Sequence, residues 1–447
     1  MDPAHSLLFR PFPLGKGGKQ LSNRIWLPAM VTWRSNDAGE VTDDILAIYR
    51  RYAQGGAGVI VLEAMGVRDV ASGPLMRIGH DRYLPGLRRL VEELRRHGNS
   101  LLLPQIIDFL KIATRKATRE YLETMVRRGH LPPELLALDD QSFEENAATY
   151  LDSRQLRDFR YGYRQTIGDL SLAEIQSIPG YFAAAARRAR DAGFDGVELH
   201  FAHAYTLASF LSVTNPRRDA YGGSFEGRMR LPLDVVHAVR EEVGAEFIVG
   251  CRMLGSEDIL QEDGSLAGNR IEDAQAIAVT LARAGLDFLS ISRGGKFDDA
   301  KQPVVGETAY PYTGNSGHRC IPRSKQDPFA VNVPLAAGIR AAVRAAGFTT
   351  PVVAAGKIVH PQQAEAILQE EQADLVGMAR ALLADPDLPH KWRQGAAAAQ
   401  RVCVFCPWCE QEDQHHRVVS CTLWPKVPGA PRARKIPELW SGESTTE

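Results

Sequence analysis

Cys403, Cys406, Cys409 and Cys421 gather four of the chain's six cysteines into one C-terminal segment, RVCVFCPWCEQEDQHHRVVSCTLWP. Three thiolates two residues apart, with a fourth returned by a loop of eleven, can converge on one cuboidal cluster, because soft sulfur ligands suit iron and sulfide. The spacing points to a [4Fe-4S] cluster and so to redox chemistry. The same four thiolates could close a zinc knuckle, although such sites usually present two separated Cys-x-x-Cys pairs rather than a run of three. A disulfide framework is disfavoured, since nothing at the N-terminus resembles a signal peptide and Cys251 and Cys320 stand isolated, as ordinary thiols. His415 and His416 lie inside the ligand loop, in so polar a stretch that they read as solvated rather than as ligands.

A second set of chemistry-bearing residues sits at the ends of short apolar runs: Thr32, Glu63, Gln105, His200, Arg252, Ser292 with Arg293, Gly356 with Lys357, and Arg380. The runs are IWLPA, GVIVLEA, LLLPQI, GVELHF, FIVGCRM, FLSISR, PVVAAG and LVGMAR, beginning at Ile25, Gly58, Leu101, Gly196, Phe247, Phe288, Pro351 and Leu375. Their β-branched and apolar content predicts eight strands. Segments with helical periodicity fall between them, for example 43–54, 85–97, 178–192, 228–243, 271–284 and 361–370. Strand then helix, repeated eight times, predicts an α/β fold of the (β/α)8 TIM-barrel type, with chemistry at the C-terminal strand ends. A doubly wound open sheet is the alternative, but the first strand is followed by MVTWRSNDAGE, without the Gly-rich phosphate turn of that fold.

Two connections are longer than ordinary loops. Residues 108–171 are charged and mostly helix-like, and predict a helical insertion after strand three that lies over the mouth. A loop rich in Gly, Pro and Tyr, between Gly294 and Val333, also belongs to the catalytic face. The expected division is a barrel over 1–400, with 108–171 as inserted helical subdomain or lid, and a cysteine-rich cluster segment with tail over 401–447. At 44% hydrophobic and 24% charged residues, with no apolar run long enough to cross a bilayer, the chain reads as a soluble, cytoplasmic protein. A formal net charge of -1 argues against nucleic acid as a partner. Small molecules and redox proteins remain, and homo-oligomerisation is left open.

The run GFDGVELHFAHAYTLASFLSVTNPRRDAYGGSFEGRMR, from Gly193 to Arg230, resembles the hallmark of the old yellow enzyme family of flavin-dependent reductases. His200, His203, Tyr205, Phe210, Leu211, Ser212, Asn215, Arg217, Asp219, Tyr221, Gly222 and Gly223 match that pattern. The similarity extends to SNRIWLPAM, YRRYAQGGAGVIVLEA, Gln105 and GMARALLADPDLP. With the cysteine segment attached, the chain resembles the iron–sulfur branch represented by 2,4-dienoyl-CoA reductase, 2-enoate reductases and trimethylamine dehydrogenase. Those relatives carry a further FAD or nucleotide-binding region, whereas this sequence ends at Glu447. The expectation is therefore that electrons arrive from an external partner, a ferredoxin or flavoprotein, or from NAD(P)H bound at the barrel.

The resemblance implies FMN. Pro28, Ala29, Met30 and Thr32 would lie along the first-strand turn, Gln105 would bond the flavin's pyrimidine edge, and Arg252 would face the N1–C2=O locus, which gains charge on reduction. The turn at Gly356 and Lys357, with Ala379 and Arg380, would hold the phosphate. His200 and His203 would donate hydrogen bonds to a substrate carbonyl, and Tyr205 would deliver a proton to the α-carbon. The sequence departs from the family at Val31, where members often place Thr or Cys, with Thr32 next as a substitute. It departs again at Ile107, Asp108, Phe109 and Leu110, where a His-Ala-Gly-Arg stretch is common, so the substrate pocket is remodelled. Lys111, Arg115, Lys116 and Arg119 read as a solvated helix face rather than an anion site.

Three functions follow, in order of support. The first is an FMN and [4Fe-4S] ene-reductase acting on an activated C=C bond, or the reverse dehydrogenation. The second is oxidative demethylation of an amine, whose sign would be an aromatic bowl from Trp33, Tyr205 and Tyr310 or Tyr312. The third, remote, is a non-catalytic barrel with a structural zinc knuckle.

Overall fold

Eight parallel strands close into a barrel: β1 (Ile25–Leu27), β2 (Val59–Gly66), β3 (Leu101–Ile107), β4 (Gly196–Phe201), β5 (Ile248–Leu254), β6 (Leu289–Ser292), β7 (Val352–Ala355) and β8 (Leu375–Gly377). Each strand pairs with the next, and β8 returns to β1 through Val376 opposite Ile25. The computed structural model describes residues 6–70, 73–110, 115–162, 165–323 and 328–441. Helices cover the outside: α1 (Asp43–Gly55), α2 (Leu84–His97), α3 (Leu172–Asp191), α4 (Phe225–Val243), α5 (Ile271–Arg283), α6 (Val333–Ala345), α7 (Pro361–Gln369) and α8 (Ala379–Ala384). The expected TIM barrel is thus what the chain forms. Among the described residues no helix is long and apolar enough to cross a membrane.

Period-two alternation divides each strand between two environments. Ile25, Leu27, Ile60, Leu62, Leu102, Val197, Leu199, Val249 and Leu289 face outward into the apolar layer shared with the helices. Trp26, Val59, Val61, Leu101, Leu103, Ile248, Phe288, Val353 and Leu375 face inward and fill the N-terminal half of the barrel. Trp26 meets Phe288 edge to face at 4.8 Å between centroids. Leu14 and Leu21, from the hairpin Phe12–Leu14 and Lys19–Leu21, join that inner cluster and plug the end. Glycine makes room for it at Gly250, where a Cβ would stand 2.2 Å from the Phe288 ring. Followed toward their C-terminal ends, the inward positions turn polar: Glu63, Gln105, Glu198, His200, Ser290 and Ser292 are all buried. The apolar plug thus sets the floor on which a polar site stands.

Local signals explain the helix ends. Thr42 caps α1 by accepting from Ile45 N, and Asp43 and Asp44 occupy its first turn, where the helix dipole favours negative charge. A reciprocal Ser171–Glu174 capping box starts α3 at Leu172, earlier than the apolar periodicity alone suggests. Between β3 and α3 the chain forms helices Thr118–Arg127, Asp140–Tyr150 and Ser153–Tyr161. Tyr121, Leu122, Phe143, Ala147 and Phe159 give this stretch an apolar cluster separate from the barrel's. Arg119 donates to the carbonyls of Leu136 and Leu138, and Lys116 pairs with Glu120, so these cations serve the insertion's own fold. Lys111 lies outside the described residues.

The C-terminal segment is sewn to the barrel. Val419 N donates to Thr32 O at 3.0 Å, Trp424 Nε1 to Leu383 O at 2.7 Å, and Trp33 Nε1 to Asp413 Oδ1 at 2.6 Å. Glu410 pairs with Arg323 from the long loop after β6.

Candidate active site

At the C-terminal mouth of the barrel a cavity of about 560 Å³ opens, within the range of small-molecule pockets. His200, His203, Tyr205, Gln105, Arg252, Ala29, Met30, Ala379 and Arg380 all line it. A smaller cavity of about 80 Å³ continues beneath Arg252 and Arg380, lined by Pro28, Gly356, Lys357, Ile358, Ala379 and Asn332. The two share Arg252, Cys320, Ala379 and Arg380. Every residue expected to hold a flavin except Thr32 therefore faces one connected space. Thr32 is turned away: its N–H donates to Glu63 Oε2 at 3.0 Å, its carbonyl accepts from Val419, and Val31 and Trp33 take the cavity wall on either side of it.

Two features of this space suit FMN. Gly356 has φ 124°, and a Cβ there would come within 3.0 Å of Asn332 Nδ2, so the backbone at the smaller cavity stays bare and approachable. Among the described residues Asn332 Oδ1 is a buried acceptor without a partner, as a residue awaiting a ligand's hydroxyl would be. Gln105 donates its Nε2 to Glu198 Oε1 at 2.6 Å, its neighbour across the β3–β4 register, which leaves the amide oxygen to accept from a ring N–H. Burial pushes the Glu198 carboxyl up to about 7, against the lowering effect of Arg252. Arg252 itself donates to Ser290 Oγ at 3.1 Å and Ser292 Oγ at 3.2 Å, two hydroxyls one strand over.

The histidines sit deeper. His200 and His203 are 4% and 5% exposed, and their rings meet through His203 Nδ1 and His200 Nε2 at 3.3 Å. Burial first, then the Arg252 charge, drives the His200 pKa down to about 3; burial and the neighbouring His200 drive that of His203 down as well. Both imidazoles are neutral at physiological pH. His203 holds a left-handed backbone, φ 58°, where the strand turns into the loop. Its Nε2 reaches Ser292 Oγ at 3.0 Å and Cys320 Sγ at 3.4 Å. Cys320, isolated in the sequence and read as an ordinary thiol, is in fact a lining residue of both cavities. No periodicity marks it, because it rides on the short helix Asn315–Cys320 within a long loop.

Aromatic rings complete the walls. Tyr205 packs edge-on against Phe109 at 5.4 Å and His200 at 5.3 Å, while Tyr310 and Tyr312 meet at 5.2 Å. Trp33 stacks on His416 at 4.2 Å, so that residue of the ligand loop, though exposed, edges the cavity. Asp413 accepts from Trp33 and from Tyr310 OH at 2.5 Å; burial raises its carboxyl to about 6. Its position inside the cysteine segment gave no hint that it would reach the barrel mouth.

Cys403, Cys406, Cys409 and Cys421 line one small cavity beside Arg380 and Leu383. Burial pushes the Cys409 thiol up to about 12 and Cys421 up to about 11, and their fellow cysteines add to both shifts. Among the described residues no three or more His, Cys, Asp or Glu side chains are arranged around a point as the ligands of a single metal ion.

Comparison with known proteins agrees with this architecture. Residues 7–313 and 322–398 match the family described as NADH:flavin oxidoreductase / NADH oxidase. A metal reductase of Desulforamulus reducens is 32% identical over 424 residues, covering 94% of this chain and 53% of that protein. The chain spans about half the length of that relative. An NADPH dehydrogenase of Listeria monocytogenes serotype 4a is 30% identical over 370 residues, 82% of this chain and 88% of that one. Among solved structures, a 2-naphthoyl-CoA reductase in complex with 2-naphthoyl-CoA covers 94% of this chain and 57% of its own, with TM-score 0.69 and 21% identity, which shows the shared fold.

Proposed function

Because the chain belongs to the NADH:flavin oxidoreductase / NADH oxidase family, we propose that it is an FMN-dependent oxidoreductase that reduces an activated C=C bond, or runs the reverse dehydrogenation, with NAD(P)H or a redox partner as electron donor. The observation that carries this is the convergence of a neutral histidine pair, Tyr205, Gln105 and Arg252 on one cavity. FMN, when bound, would supply the hydride that the β-carbon of the substrate accepts. Gln105, fixed by Glu198, offers the ring edge an acceptor, and Arg252, held by Ser290 and Ser292, keeps a positive charge at the floor. The neutral His200–His203 pair meets the substrate carbonyl with hydrogen bonding rather than charge, and strengthens as the oxygen becomes an enolate. Tyr205, on the same wall, gives the α-carbon its proton.

The four cysteines fit a [4Fe-4S] cluster as donor set. All four thiols line one cavity, and a run of three cysteines with a fourth returned by a loop suits a cuboidal cluster better than the two separated pairs of a zinc knuckle. The cluster would relay single electrons between a partner and the flavin.

Protein purified without oxygen is expected to show a flavin absorbance band, iron and acid-labile sulfide, and to oxidise NADH or NADPH when an α,β-unsaturated ketone is added. Flavin that is reduced by NAD(P)H but never reoxidised by any enone would sink the ene-reduction reading, and protein devoid of flavin would sink the whole.

A second reading, amine oxidation, is favoured by one observation: Trp33, Tyr205, Tyr310 and Tyr312 all line the cavity, together with the Asp413 carboxyl. Such a wall suits a cation. Bleaching of the flavin by an alkylamine and not by NAD(P)H would select it.

A further inference from the structure

We propose that Phe405 is a positioning residue for the flavin phosphate: carried on the turn between Cys403 and Cys406, its ring holds Lys357 and Arg380 together at the smaller cavity, so that closing the turn on a cluster completes the phosphate site. The proposal rests on the reading of that cavity as part of an FMN site and of the cysteines as cluster ligands. Phe405 lines the smaller cavity with both cations. Lys357 Nζ and the Arg380 guanidinium carbon each stand 4.8 Å from the centre of its ring. Two like charges gathered to hold an anion repel each other, and the electron-rich ring they share opposes that repulsion. At 6% exposure the ring is shielded from water, which strengthens both contacts. Phe329, from the long loop after β6, lies 5.4 Å from Lys357 Nζ and 6.2 Å from the Phe405 ring, so a second aromatic side chain confines the lysine.

The backbone gives this side chain its direction. Phe405 holds φ 55°, a left-handed conformation that is unfavourable for a bulky L residue and that glycine adopts freely. Such an outlier persists only where the surrounding structure holds it, and it points to a use for the side chain. Here the conformation turns the ring inward, while Val404, one position earlier, is 62% exposed. The cysteines on either side hold the turn: the Phe405 N–H donates to the Cys403 sulfur, and Cys406 follows directly. That same sulfur lies within the field of Lys357 and Arg380. A group bound by Cys403 and Cys406 therefore fixes the ring that gathers the two cations, and release of the turn lets ring and cations part.

The test titrates FMN and riboflavin, which differ by the phosphate alone, into the full chain with its cluster in place and its flavin removed, following flavin fluorescence. Phe405→Leu, which keeps an apolar side chain without the ring, is expected to weaken FMN binding about tenfold, or about 1.4 kcal/mol, and to leave riboflavin binding unchanged. Phe405→Tyr keeps the ring and should restore the FMN affinity of wild type. Removing iron by chelation should weaken FMN binding to wild type by a similar factor, again sparing riboflavin. It should add little to Phe405→Leu, because both changes act through the same link. Equal losses for FMN and riboflavin in Phe405→Leu, or no loss, overturn the role of Phe405 at the phosphate. Wild type that carries no cluster, or holds FMN equally with and without it, overturns the link to the cysteine turn. Wild type that takes up neither flavin would instead sink the FMN reading itself.

Discussion

Asp413 places a carboxyl where its charge is poorly solvated, between the Trp33 indole and the Tyr310 phenol. Its pKa in the folded protein is raised to about 6 from an ordinary 3.8, burial being the largest cause. The folded state therefore holds the Asp413 proton more tightly than the unfolded state does. The sign follows: the cost of ionising it is absent below the unfolded value, grows as pH rises through that window, and is complete above the folded value. Asp413→Asn keeps an acceptor for Trp33 and offers an N–H to the Tyr310 oxygen. It is expected to raise Tm at about pH 8 and to leave it unchanged at about pH 4, checked by thermal melts at both. A gain of equal size at both pH values would show that the ionisation is not its source. Residue identity carried part of this site openly. His200, His203 and Tyr205 fall within six consecutive residues, so their type and spacing survive in a linear reading. Asp413 and Cys320 reach the same cavity from two distant stretches, and nothing in their own neighbourhoods marks the destination.

At the scale of elements, the strand ends do the positioning, and glycine decides how close a ligand comes. Gly356 follows β7 with φ 124°, a conformation that L side chains rarely adopt, and any Cβ there presses on Asn332. Gly356→Ala is expected to cost about 1–3 kcal/mol of local strain, or roughly a tenfold or larger loss in FMN affinity if the strain falls on the bound form. Flavin-to-protein ratio after dialysis measures it, with circular dichroism as the check on folding. Unchanged flavin retention would remove Gly356 from the phosphate cradle. The strands themselves were legible because their inward and outward residues alternate on a period of two, and all eight lie where the apolar runs place them. The start of α3 was less so, because the Ser171–Glu174 capping box adds residues ahead of the apolar stripe. At Thr32 the linear reading left the outcome open, and tertiary contacts decide its backbone partners: the buried Glu63 of β2 accepts from its N–H, and its carbonyl accepts from the Val419 amide.

At the scale of the molecule, the cysteine segment is part of the barrel's mouth and not an appendage. Its helix Trp408–Gln414 carries the third cysteine, Cys409, and brings Glu410 and Asp413 against Arg323, Trp33 and Tyr310. Loss of whatever the thiolates bind is therefore expected to reach the substrate cavity. Cys409→Ser should lose most of the iron and sulfide. It should also weaken substrate binding, read as a rise in KM of about threefold to tenfold, the scale of one or two disturbed hydrogen bonds. Full iron content in Cys409→Ser would exclude that cysteine as a ligand. By itself the sequence determined the barrel, through strand and helix periodicities that are local, and the identity of the main chemical groups, through motifs contiguous along the chain. Only the tertiary structure decided which side chains face one another. Closing eight strands on an apolar plug brings Arg252, Ser292, His203 and His200 within hydrogen-bond reach of one another, and folds the cysteine segment back so that Asp413 walls the cavity at the mouth. Apart from the adjacent His200 and His203, those contacts join residues tens to hundreds of positions apart, and no local pattern encodes a distance across a barrel.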